Sequence, residues 1–235
     1  MCTRYVLLEK HYRAVLERLG IAPRAFPSRY NIAPSSEVPV IRSRVLPDAR
    51  EEVTMQWGLV PRWAATKSQR VVNARADSIA EKSTFREALL SRRCVIPASG
   101  FYEWKTLGRI KQPWLVQPSD DGGFAFAGIW EPGPSIDGVA VETFAVITTD
   151  PNALMSPIHN RMPVILNSAQ VDAWLDPARR EPQDLSAMLT SHPASAMTEV
   201  PVTARMNSVR YEQPDCMVPV AMDEAENGPQ LSLGF

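Results

Sequence analysis

The sequence predicts one α+β domain with a mainly antiparallel, barrel-like β-sheet core flanked by short helices. Three observations carry that expectation. From Cys94 to Thr148 the chain alternates short β-branched and aromatic runs with Asp-Gly-Gly and Pro-Gly-Pro punctuation, the pattern of strands joined by tight turns. Helical spacing of apolar residues is confined to a few short stretches. A length of 235 residues suits one large domain or two small ones, and no internal repeat or long linker divides it.

The first helix is expected from about Glu9 to Leu19, where Tyr12, Val15, Leu16 and Leu19 recur at helical spacing and Gly20 suits the C-terminal cap. Ser28 to Pro34 is rich in turn formers and reads as an ordered loop. Strands near Glu37–Arg42 and Glu52–Val60 are separated by a Pro-Asp turn. After an irregular stretch from Pro61 to Gln69, a helix is expected from about Ser78 to Ser91, with Phe85, Ala88 and Leu89 facing inward. Strands follow over Cys94–Pro97, Gly100–Lys105, Pro113–Gln117, Phe124–Trp130 and Val141–Thr148. Asp150 to Met162 is a polar loop leading to a strand over Pro163–Leu166. Two short helices, about Ser168–Leu175 and Gln183–Thr190, precede a last strand near Glu199–Val202. The tail after Val220 is polar and is expected to be disordered.

Hydrophobic content of 45% and charged content of 22% are those of an ordinary soluble globular protein. No apolar run approaches the roughly 20 residues that span a bilayer, and no secretory signal is visible, so a cytoplasmic protein is expected. Three widely spaced cysteines (Cys2, Cys94, Cys216) support neither a disulfide framework nor a zinc site. A net charge of −1 argues against a general nucleic-acid binder. The distribution is uneven, however. Residues 60–112 hold eleven Lys/Arg against four Asp/Glu, whereas residues 113–160 hold six Asp/Glu and no Lys or Arg. The basic tract reads either as a basic groove or as charge spread over a solvated surface.

The chemistry begins at the amino terminus. If Met1 is removed, Cys2 carries a free α-amine, with a reference pKa of about 7.7–8.0, beside a thiol of about 8.5. Such a 1,2-aminothiol condenses with an aldehyde to an imine, and the thiol then closes on the imine carbon to give a thiazolidine. No internal cysteine can do this. The plain alternative is a small hydrophobe buried under the first strand.

Further along, several stretches set useful groups beside structural punctuation. They are RYNIAPS from Arg29, WGLVPRW from Trp57, NARAD from Asn73, RCVIPASGFYEW from Arg93 and HNRMPVIL from His159. As an ordered set, together with Cys2, they resemble the SOS response-associated peptidase (SRAP) family, which includes an animal 5-hydroxymethylcytosine-binding protein. The resemblance runs from Met1 to about Val220, so residues 1–222 are read as an SRAP domain with Met1 removed, and 223–235 as a polar tail. One departure is visible: Thr3 stands where the family usually has glycine, and a β-branched residue is stiffer there.

The resemblance implies a protein that recognises abasic sites in single-stranded DNA and links to them covalently through the N-terminal cysteine. A ring-opened abasic deoxyribose is an aldehyde, the electrophile that an aminothiol captures. Four roles are carried over. Cys2 is the nucleophile through both amine and thiol. Asn73 holds the amine and the sugar oxygen. Glu103 relays protons, its pKa raised by Phe101, Tyr102 and Trp104 around it. His159 protonates the sugar ring oxygen. For the DNA, Arg75 and Arg161 read as phosphate clamps with Arg4 as a weaker one, and Trp63 and Trp104 as surfaces on which bases stack. The imine also opens a route to weak abasic-site lyase activity by β-elimination.

Each residue also has a structural reading. Asn73 can satisfy backbone groups in a turn, and Glu103 can be a half-exposed strand residue. His159 can be a loop residue, Arg75 and Arg161 can pair with Asp77 or other carboxylates, and the tryptophans can belong to the core. Cys94 and Cys216 read as structural. Two other functions compete: a cysteine peptidase using Cys2 with His159 or Glu103 as base, which would also cover self-removal of Met1, and a non-catalytic reader of modified DNA. No cofactor or metal is expected, and a monomer is expected that joins the nucleoid when bound to DNA.

Overall fold

Five strands close on themselves to form the centre of the molecule. In chain order they are β3 (Glu37–Ser43), β4 (Arg50–Trp57), β6 (Arg93–Ala98), β9 (Phe124–Ile136) and β10 (Val139–Thr149). Antiparallel pairings run β4–β3–β6–β9–β10, and a parallel pairing of β10 with β4, Thr143 opposite Gln56 and Phe144 opposite Trp57, closes the ring. Closure removes the exposed edges that an open sheet of this size would present. A short strand, β5 (Asn73–Arg75), adds to β10 in parallel, with Asn73 opposite Val146 and Arg75 opposite Thr148. The same end of β10 also pairs, antiparallel, with β11 (Met162–Pro163), Thr148 opposite Pro163 and Thr149 opposite Met162. The computed structural model describes residues 2–43, 50–64, 69–136 and 139–221.

A second, wholly antiparallel sheet packs beside the barrel in the order β12 (Met197–Pro201), β8 (Ile110–Pro118), β7 (Gly100–Leu107), β1 (Arg4–Leu7) and β2 (Arg29–Ile32). Strand β1 therefore lies between β7 and β2, with Arg4 opposite Tyr102 and Tyr5 opposite Phe101. That register carries the chain start alongside Glu103. Gly100 makes the β7–β8 pairing possible, because a Cβ there would lie 2.6 Å from the Val116 carbonyl oxygen. One face of this sheet joins the main core, where Tyr5 and Phe101 meet Phe126 edge-on and Trp57 stacks on Phe144. Its other face holds a smaller cluster of Val6, Tyr102, Leu115, Val202, Met206 and Cys216.

Helices are few and short. Helix α1 (Glu9–Arg18) buries His11, Tyr12, Val15 and Leu16, and Gly20 ends it at φ +70°. The others are α2 (Ser83–Ser91), α3 (Ser168–Leu175) and α4 (Pro182–Ala187). Asn167 and Gln170 form a capping box on α3, and the Trp174 indole N–H of that helix donates to the Cys94 carbonyl.

Three expectations need correction. The stretch read as a loop contains β2, because Ile32 and Arg29 find partners in Tyr5 and Leu7 and tertiary pairing overrides turn-forming composition. The second helix begins at Ser83 rather than Ser78, since the preceding residues, with Asp77 and Ser78 among them, form turns instead. The strand expected over Pro163–Leu166 is cut to two residues plus a single bridge from Ile165 to Phe126. The Pro-Asp turn and the tail from residue 222 lie outside the described residues. Among the described residues no helix is long and apolar enough to cross a membrane.

Candidate active site at the amino terminus

Cys2 is fully buried at the head of β1, in the main core rather than on the surface. Its thiol lies 3.8 Å from the Arg4 carbonyl. Burial raises the thiol pKa far above its usual value, and the nearby Glu103 carboxylate raises it further, against the opposing charge of the amino terminus. Both effects favour the neutral thiol over the thiolate. Thr3 costs nothing in backbone terms. Ser35 is the one non-glycine residue with positive φ among the described residues, so Thr3 does not occupy the region where glycine would be needed.

Asn73 reaches this terminus from β5. Its amide Nδ2 donates to the Cys2 carbonyl at 2.9 Å, while its Oδ1 is buried with no hydrogen-bond partner among the described residues. An acceptor left open beside Cys2 is a place for an incoming donor, because its burial cost is otherwise uncompensated.

Glu103 points from β7 into the same space. It is 2% exposed, and burial pushes its carboxyl up to about 7, although the positive amino terminus pulls it down. At neutral pH this group is close to half protonated, which suits a group that must both give and accept a proton. His159 follows α-turn geometry after Met155 and is half-buried. The backbone N–H of Arg161 donates into its Nδ1 at 3.0 Å, which assigns the neutral ring's proton to Nε2. Burial lowers its pKa, and the amino-terminal charge lowers it further. At neutral pH the ring therefore offers an Nε2–H hydrogen bond more than an imidazolium.

One electrostatic thread ties these groups together. The amino-terminal charge that acts on Cys2, Glu103 and His159 alike is that of the Met1 amine, one residue before the Cys2 amine that removal of Met1 would free, and Asn73 is bonded to the Cys2 carbonyl. Residues from β1, β5, β7 and the 150–162 loop thus converge on one point, spread over 157 positions of sequence from Cys2 to His159.

The residues expected to meet DNA divide. Trp63 is 62% exposed, on the turn after Pro61, and free to stack. Arg75 is exposed and bonds Asp77 through Nη2 at 2.6 Å. Arg161 is covered: it donates to the Thr148 carbonyl at 2.5 Å, to Asp150 at 2.7 Å and to Asp77 at 3.4 Å. Arg4 departs from the expectation. It is 7% exposed, and its guanidinium is engaged by Asn31 Oδ1 at 2.8 Å and by the carbonyls of Met206 and Asn207 at 2.9 and 3.0 Å. Strand pairing with Tyr102 turns that side chain toward the interior, where it fastens the C-terminal segment. Trp104 also departs, because side chains alternate along β7 and it falls on the opposite face from Glu103. There it is half-buried against the smaller cluster, its indole N–H donating to Asn207 Oδ1 at 2.7 Å.

Two arginines of the basic tract meet one carboxylate of the acidic tract. Glu131, buried, receives Arg92 at 2.7 Å and Arg62 at 3.0 Å, and Glu87 receives both arginines as well. Arg93 donates to the carbonyls of Trp174, Asp176, Leu89 and Leu90. Sequence reasoning noticed Asn31 within RYNIAPS but gave it no role; its Nδ2 reaches the carbonyls of Met206, Ser208 and Tyr211. Thr148 and Asp150, the holders of Arg161, were overlooked. No local signal shows what either set holds, since both depend on contacts between separate segments.

Known proteins resemble this chain in sequence and in fold. The chain matches the SOS response associated peptidase (SRAP) family over residues 1–209. It is 35% identical over 222 residues to the abasic site processing protein YoqW of Bacillus subtilis, covering 92% of this chain and 98% of that one. It is 36% identical over 227 residues to the abasic site processing protein HMCES of Gallus gallus, covering 82% of this chain and 66% of that one. A crystal structure of a protein from Bacteroides thetaiotaomicron superposes with a TM-score of 0.83 at 27% identity, over 94% of this chain and all of that one. From its first strand to the segment that Arg4 and Asn31 hold in place, this chain belongs to the SOS response associated peptidase family, whose named relatives are abasic site processing proteins.

Proposed function

We propose that this protein, once Met1 is removed, captures abasic sites in single-stranded DNA as a thiazolidine crosslink through Cys2. The observation that carries the reading is the convergence of Asn73, Glu103 and His159 on the amino terminus. The steps follow from the state of each group. His159 hydrogen-bonds the sugar ring oxygen through Nε2–H as the ring opens to the aldehyde. The unprotonated α-amine of Cys2 attacks the aldehyde carbon, and the carbinolamine loses water as Glu103 in its acid form gives a proton to the departing hydroxyl. The thiol, held protonated by burial, then adds its sulfur to the imine carbon as its proton passes to the Glu103 carboxylate and the nitrogen becomes a neutral amine. The resulting ring contains the sulfur, the nitrogen and the former aldehyde carbon. If a proton is instead lost from the carbon next to the imine, β-elimination cuts the strand, which is the weak lyase route.

Arg75 and Arg161 serve as phosphate contacts and Trp63 as a stacking surface in this reading. Burial of the Cys2 sulfur disfavours the thiolate on which a cysteine peptidase relies, and so favours the crosslinking reading over the peptidase one. The test uses purified protein and a single-stranded oligonucleotide with one abasic site, resolved by denaturing gel and intact mass. A heat-stable adduct is expected at the mass of oligonucleotide plus protein lacking Met1, and it should vanish in Cys2→Ala and in a protein extended before Cys2. An adduct that persists in Cys2→Ala would sink the proposal.

A further inference from the structure

The two guanidinium groups proposed to meet phosphate are already bridged by one carboxylate. Asp77 Oδ2 accepts from Arg75 Nη2 at 2.6 Å and from Arg161 Nη1 at 3.4 Å, while Oδ1 accepts from Arg75 Nε at 3.2 Å. The strand and its turn produce this geometry. Arg75 closes β5 opposite Thr148 of β10, the chain turns, and Asp77 falls back over the two arginines. The Asp77 carboxyl is held below its ordinary pKa, first by the Arg75 hydrogen bonds, and so stays charged at neutral pH. Arg161 is also held from behind by the Thr148 carbonyl, which fixes its position whether or not Asp77 stays. Asp150, 84% exposed, takes the remaining donor of the same Nη1.

We infer that Asp77 is an internal stand-in for a DNA phosphate, which the incoming backbone must displace before Arg75 and Arg161 can engage it. The inference rests on the phosphate-contact reading above and adds a specificity-determining residue to it. A carboxylate offers the guanidiniums two oxygens in a plane, as a phosphate edge does. Displacing it subtracts from the affinity for any single strand, whether damaged or intact. Reversible binding is thereby kept weak, and retention on DNA comes to depend on the covalent step at Cys2, which only an aldehyde can complete.

Asp77 is half-exposed, so its replacement leaves the core untouched. The probe is single-stranded DNA carrying a tetrahydrofuran abasic analogue, which has no aldehyde, with binding measured by fluorescence anisotropy across a salt series. Asp77→Asn should bind about two- to fivefold tighter at low salt, the span that one exposed ion pair covers. Its plot of log affinity against log salt should steepen by as much as about 0.7, since a phosphate neutralised without releasing a carboxylate frees its full share of counterions. Asp150→Asn, which relieves Arg161 alone, should gain less, and the Asp77→Asn gain should disappear in an Arg75→Ala background. Equal or weaker binding by Asp77→Asn, with Arg75→Ala weakening binding, would overturn the inference and leave Asp77 as a brace for Arg75. If Arg75→Ala and Arg161→Ala both bind as the unaltered protein does, the phosphate-contact reading itself fails.

Discussion

Glu103→Gln isolates the protonation of the buried carboxyl, because glutamine keeps the shape and removes the charge. Burial carries Glu103 from 4.5 to about 7 in the folded chain. That gap corresponds to about 3 kcal/mol of folding free energy. The sign follows from which form the fold prefers. A carboxyl whose pKa rises on folding contributes its stability in full below pH 4.5, and the contribution is lost as pH rises through about 7. The unaltered protein should therefore weaken relative to Glu103→Gln across that window, by about 3 kcal/mol in all, and no further above it. Urea denaturation of both proteins at pH 5 and pH 8 measures the divergence directly. The same variant should form the abasic-site adduct on the order of 100-fold more slowly and with a flattened pH profile, as expected when a general acid–base group is removed. Should the two urea midpoints stay the same distance apart at both pH values, Glu103 ionises in the ordinary range and is not poised for proton transfer near neutrality. Together the outcomes describe a residue that costs stability where it gives function.

Three further substitutions separate binding, chemistry and packing. Arg4→Met removes the donor to Asn31 and to the Met206 and Asn207 carbonyls, so it should lower stability by about 2–4 kcal/mol in chemical denaturation. It should leave the salt dependence of DNA binding unchanged; a shallower slope would return Arg4 to the phosphate contacts. Trp63→Ala, at a side chain 62% exposed, should weaken binding to single-stranded DNA by about 1–3 kcal/mol with little change in Tm. A large fall in Tm would assign that indole to packing instead. Asn73→Ala loses the 2.9 Å bond to the Cys2 carbonyl and should slow crosslinking about tenfold. Its affinity for the tetrahydrofuran analogue should hold, and a parallel loss of that affinity would place Asn73 in binding rather than in orienting the nucleophile.

The strands and first helix were legible because their signals are local. Tyr12, Val15 and Leu16 repeat at the helical period and all are buried, and Ser168–Leu175 folds as the helix its sequence announces. The β2 strand was not legible, since Arg29–Ile32 is extended only because β1 lies beside it. Closure of the barrel was equally hidden. It depends on a parallel contact between Phe144 and Trp57, and nothing near either residue records the other. In the candidate site, motif order singled out Cys2, Asn73, Glu103 and His159, and the fold brings them to one terminus. For the residues expected to face DNA, residue type alone did not tell which are exposed. Arg4 and Trp63 both looked suited to nucleic acid, yet strand pairing turned one inward and a turn left the other in solvent. Charge counting left two readings of the basic tract open, and it could not show that Arg62 and Arg92 are joined to Glu131 of the acidic tract.

The fastening of β1 to residues 206–211 ties the amino end of the fold to a segment as much as 203 positions away in sequence. Arg4 and Asn31 grip the carbonyls of Met206, Asn207, Ser208 and Tyr211. Loosening of that distant segment would strand a buried guanidinium and a buried amide without acceptors to answer them, and the strand next to Cys2 would lose a brace that its pairings with β2 and β7 do not supply.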